Sequence, residues 1–196
     1  MELSFLTFGY LFLRLAPFIL VCFFTLSSIF NQDFKGFVYL IGLLFACFSS
    51  VMAGRGFEND KEKPEICKMI TIGGAEMTYL PLSQCIFGYS FAYIMFAIIK
   101  YNLIYTNITS MVFFSLLIFS DIFWNSMNEC YSIIELLVGL AIGVGVGLFW
   151  AFVIDSSNAK NLQYFAGINN NEVCNVPSAQ TFRCKVYKNG QMISSM

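Results

Sequence analysis

Five apolar runs separated by short polar breaks organise the chain as far as Ile154. They cover residues 3–30, 34–53, 80–99, 108–124 and 131–154. At about 1.5 Å of rise per residue, helices of these lengths cross or nearly cross a hydrocarbon core of roughly 30 Å. The runs show no strict apolar–polar alternation of the kind that marks an outer-membrane β-barrel. The pattern predicts an all-α polytopic membrane protein: a bundle of about five transmembrane helices spanning residues 1–155.

The fifth run is the most regular. It carries a charge only at Glu135, and Gly139, Gly143 and Gly147 recur every fourth position. That spacing places the three glycines on one helix face, which another helix can approach closely. The first run is less simple, because Arg14 and Pro17 interrupt it. Pro17 either kinks one long tilted helix or separates an interfacial segment from a short span. Arg14 either sits at the interface or faces a polar interior.

Between the runs lie Asn31-Gln32-Asp33, a long polar loop over 54–79, a tyrosine- and asparagine-rich connection over 100–107, and a tight turn over 125–130. Long internal loops are often functional, although the mixed charges of this one also fit a plain solvated face. Residues 156–196 form a polar extramembrane tail. There the alternation around Asn189-Gly190 predicts a small β-hairpin. A lone hairpin is marginal in water, so it is expected to dock on something.

Composition sharpens the class. The 196 residues are 58% hydrophobic and 12% charged, about half the ~25% charged content of soluble domains. Net charge is −1, which gives no basic field for nucleic acid. Histidine is absent altogether. That removes the usual acid/base near neutral pH, the commonest transition-metal ligand and any phosphohistidine step. The seven cysteines form no Cys-x-x-Cys pair, so neither a metal site nor a cofactor is expected. Cys22, Cys47 and Cys85 read as small buried hydrophobes, and Cys174 with Cys184 could pair if the tail meets an oxidising space. The N-terminus lacks a basic region and a small-residue cleavage site, so it reads as retained. Lysine and arginine divide almost evenly between the two membrane faces, four in the 54–79 loop and four in the tail, and assign no orientation.

Three polar clusters mark helix ends: Lys61, Lys63, Pro64 and Glu65; then Pro81, Ser83 and Gln84; then Asn125, Tyr131 and Glu135. In five antiparallel spans these ends share one face, as a membrane-surface active site needs and as ordinary interfacial helix ends also do. Their order resembles the type 2 phosphatidic acid phosphatase family of integral-membrane lipid phosphatases. Lys63-Pro64-Glu65 is similar to that family's Arg-Pro element. Leu80-Pro81-Leu82-Ser83-Gln84 is similar to its Pro-Ser-Gly-His element. Tyr131 to Gly139 is similar to the helix that carries a catalytic histidine, with Tyr131 at the histidine position. The resemblance covers residues 35–155 and implies a helical bundle with a phosphate site at one end.

The departures from the family matter as much, since both catalytic histidines are missing. Ser83, Tyr131 and Glu135 are the candidate catalytic residues if the chain is active, with Arg55, Lys61 and Lys63 as a phosphate clamp. Tyrosine, with a pKa near 10, is a poor substitute acid/base, and no base is visible for Ser83. The expected function is therefore non-catalytic: a structural or assembly role in the membrane. Its partners would be the lipid bilayer and a protein partner or second copy, held through the glycine face or the tail. A membrane subunit of a larger complex fits, the virion membrane of a large virus included. The alternatives are an active lipid phosphatase with an atypical site, or a small transporter or channel using Arg14, Asp121 and Glu135.

Overall fold

The structure is a computed structural model that describes residues 5–57, 67, 79–157, 162, 185–188 and 191–195. Lys61, Lys63, Cys174 and Cys184 lie outside the described residues. The chain divides into a bundle unit, Met1–Phe165, and a tail unit, Ala166–Met196.

Among the described residues five long helices build the bundle: α1 (Phe5–Phe30), α2 (Lys35–Gly54), α3 (Leu82–Lys100), α4 (Ile104–Met127) and α5 (Ile133–Ser156). All five are long and apolar enough to cross a membrane, and the chain is a multi-pass integral membrane protein by that criterion. α1 continues through Pro17, which is fully buried. α4 begins at Ile104 rather than near Ile108. Asn107 leaves helical geometry (φ −116°, ψ 16°) but keeps the chain turning by donating from Nδ2 to the Leu103 carbonyl at 3.0 Å.

The turns after α1, α3 and α4 share one construction. Each holds a non-glycine residue in the left-handed region: Gln32 (φ 52°), Asn102 (φ 54°) and Glu129 (φ 52°). The next amide in each turn reaches back to the last helical turn: Asp33 N to Ser28 O at 3.1 Å, Leu103 N to Ile98 O at 2.9 Å, and Cys130 N to Asn125 O at 3.0 Å. These are Schellman-type ends, which satisfy carbonyls that the helix leaves open.

The helices differ in what surrounds them. α3 is the central one: most of its length is buried, whereas α1, α2, α4 and α5 each present one row of large apolar side chains outward. Phe18, Leu44, Leu116 and Phe149 belong to such rows. An apolar outer surface is what a lipid solvent favours.

The glycine ladder of α5 is packed against α3 of the same chain. A Cβ at Gly139 would meet the Pro81 carbonyl at 3.2 Å; one at Gly147 would meet the Tyr89 carbonyl at 2.6 Å. At Gly143 it would press on the Cys85 carbonyl and lie 2.9 Å from Tyr89 N. Gly88 of α3 returns the contact, since its Cβ would sit 2.7 Å from the Leu140 carbonyl. The α3 backbone of the same chain thus fills this face of α5.

Aromatic and hydroxyl groups fix the bundle centre. Tyr39 and Ser90 share a 2.6 Å hydrogen bond, Tyr89 donates to the Tyr39 carbonyl at 2.9 Å, and Trp150 Nε1 donates to the Val38 carbonyl at 3.0 Å. Each bond ties α2 to α3 or α5 inside the bundle, so each donor keeps its partner only if the helices stay in register.

Candidate functional site

Arg55–Phe57 after α2, the start of α3, the end of α4 and the start of α5 all lie at one end of the bundle. Alternating helix direction puts them there, and Arg14, early in α1, joins them. A buried polar cluster stands at this end. Ser83, Gln84, Asp121 and Asn125 are nearly inaccessible, with Gln84 at 0% and Asp121 at 2% exposure.

Asp121 is its centre. Its Oδ2 accepts from Ser83 Oγ at 3.0 Å and from Gln84 Nε2 at 2.7 Å. Gln84 Nε2 is also 3.4 Å from the Ile118 carbonyl, and Asn125 Nδ2 donates to the Asp121 carbonyl at 2.7 Å. Two amide oxygens, Gln84 Oε1 and Asn125 Oδ1, have no hydrogen-bond partner among the described residues. A buried carboxylate is costly unless polar neighbours and opposite charge compensate it. Here the donors come from α3, and Arg14 lies within electrostatic range. Arg14 is itself anchored, donating from Nη2 to the Cys67 carbonyl at 3.1 Å.

Cys67 and Cys130 form a disulfide, with their Cα atoms 5.6 Å apart. It fastens the loop between α2 and α3 to the turn between α4 and α5, beside the polar cluster. Cys22, Cys47 and Cys85 are free thiols. The sequence offered no signal for this pairing, because residues 63 positions apart in a loop and a turn have no spacing rule.

The sequence-derived candidates separate. Ser83 does face a carboxylate, so the absence of a visible base is corrected: Asp121 stands against it, contributed by a helix 38 residues away. A carboxylate is still far too weak a base to ionise a serine hydroxyl. Glu135 has a helix-capping role. Its Oε2 accepts from Ser132 N at 2.9 Å, and Ser132 Oγ accepts from Glu135 N at 3.3 Å. This reciprocal box satisfies two open amides at the start of α5. Tyr131 is half-buried beside the cluster. Burial raises its pKa above the usual tyrosine value, the nearby Arg14 charge offsets part of the rise, and Glu135 and Asp121 add to it. The hydroxyl therefore stays protonated at neutral pH. Arg55 is exposed in a short 3-10 turn, Arg55–Phe57. Among the described residues no cluster of potential metal ligands exists.

No family model, curated protein or solved structure matches the chain.

Proposed function

We propose that this protein is a non-catalytic integral membrane protein on a lipid-phosphatase-like bundle, with a structural role in a membrane assembly. The observation that carries this reading is the burial of the polar cluster. At the start of α3, Gln84 points its amide into the bundle and bonds Asp121. Ser83 spends its hydrogen on the same carboxylate. Glu135 caps a helix. Ser83 and Gln84 hold α3 to α4, and in a membrane such interhelical bonds contribute about 0.6 kcal/mol each, up to roughly 1.7.

The tail completes the proposal. Lys185 opposite Ser195 and Lys188 opposite Gln191 in antiparallel register support a hairpin. With the glycine face filled, the tail is the part left to engage a protein partner.

The test is direct. Purified protein in lipid nanodiscs containing phosphatidic acid or a polyprenyl diphosphate is expected to release no phosphate above empty discs. Ser83→Ala is expected to lower the unfolding midpoint. Phosphate release that Ser83→Ala or Tyr131→Phe abolishes would overturn the reading. The Ser83–Asp121 pair, a hydroxyl against a carboxylate, favours the second reading of an atypical lipid phosphatase, and the same measurement decides between them.

A further inference from the structure

The disulfide decides what lysine and arginine counts leave open, namely which way the bundle sits in its membrane. Cys67 and Cys130 are both deeply buried, at 3% and 2% exposure, and bonded. Protein disulfides persist in oxidising spaces and are kept reduced in the cytosol. The bond joins two segments at the same end of the bundle, after α2 and after α4. An odd number of spans separates that end from the point where the chain leaves α5 at Ser156.

We propose that the end of the bundle carrying Cys67–Cys130, Arg55 and the Asp121 cluster faces an oxidising compartment, and that the opposite end faces the cytosol. The opposite end holds the α1–α2 turn, the α3–α4 turn with Asn107, and Ser157. Three consequences follow. The Asn107-Ile108-Thr109 sequon stands on the cytosolic face, out of reach of lumenal glycosylation. No apolar run long enough to cross a membrane separates Ser157 from Cys174 or Cys184, so both are expected to meet a reducing space as thiols. A partner of the tail is a protein of the cytosolic side.

Two positions serve as reporters. Gly56 is exposed and a Cβ there meets nothing within 4 Å. Ser157 is exposed at the other end, its backbone N–H and hydroxyl donating to the Val153 carbonyl of its own helix. Intact cells or sealed right-side-out vesicles are treated with a membrane-impermeant maleimide–polyethylene glycol, and bands are read by mass shift. The parent chain is expected to show no shift, Gly56→Cys one shift, and Ser157→Cys none until the membrane is opened. Under denaturing alkylation, two further thiols are expected to appear only after reduction, and Cys67→Ser with Cys130→Ser removes both. Shifting of Ser157→Cys but not Gly56→Cys in sealed vesicles overturns the proposal. So does full alkylation of all seven cysteines without reductant.

Discussion

Gly143→Ala tests the packing of α5 on α3 most sharply. The added methyl would press on the Cys85 carbonyl oxygen and lie 2.9 Å from both Cys85 C and Tyr89 N. These are backbone atoms of a central helix, so no side chain can swing away. The two helices must separate instead. Carbon needs about 3.5–4.0 Å, and a gap of ~0.5–1 Å forfeits a quarter to a half of each contact of ~0.1–0.2 kcal/mol. The same separation loosens Gly147 from Tyr89 and Gly88 from Leu140, which pack as closely. Overpacking of this kind costs about 1–3 kcal/mol. The better helix propensity of alanine returns up to ~1 kcal/mol, for a net loss of about 0–2 kcal/mol. Gly145, two positions along the same helix, is the control: it is exposed and its Cβ would meet nothing within 4 Å. Gly145→Ala should be neutral or stabilise by about 0.4–1 kcal/mol. Reversible unfolding in mixed detergent micelles, followed by helical ellipticity, compares the two. Equal midpoints for Gly143→Ala and Gly145→Ala would refute the claim that this stripe holds α5 against α3.

Asp121→Ala leaves Gln84 Nε2 and Ser83 Oγ without their shared acceptor, and its midpoint should fall by about 1–3 kcal/mol; Asp121→Asn keeps one oxygen and should fall less, so an equal loss would count against the network. Gln32→Gly and Glu129→Gly relieve exposed left-handed positions and should each stabilise by up to about 1 kcal/mol, readable in the same micelle titration. Tyr131 has a folded pKa raised by burial, so its contribution is present below the unfolded value of about 10 and is lost as pH rises beyond it. Unfolding midpoints measured from pH 8 upward should therefore decline past about 10, less steeply in Tyr131→Phe. Tyr101, raised by burial and then by Asp155, adds to the slope with the same sign.

The membrane class and the five helices were legible in the residues, because long uncharged runs have few other solutions in lipid. The glycine ladder was legible as a close-packing face, since its period of four is a property of the helix alone. Which helix fills that face was not, and α3 of the same chain fills it. Helix ends were harder to read: Gln32 and Glu129 adopt a conformation that usually signals itself with glycine. The site residues divide in the same way. Ser83 and Gln84 stood out by their place at a helix start, but their partner Asp121 comes from α4, and nothing local joins them. Cys67 and Cys130 were two of seven scattered cysteines until folding brought their Cα atoms to 5.6 Å. Local periodicity fixes what each helix is and which way its faces point. Contacts between distant segments depend on how the helices pack, and packing set Ser83 and Gln84 of α3 against Asp121 of α4.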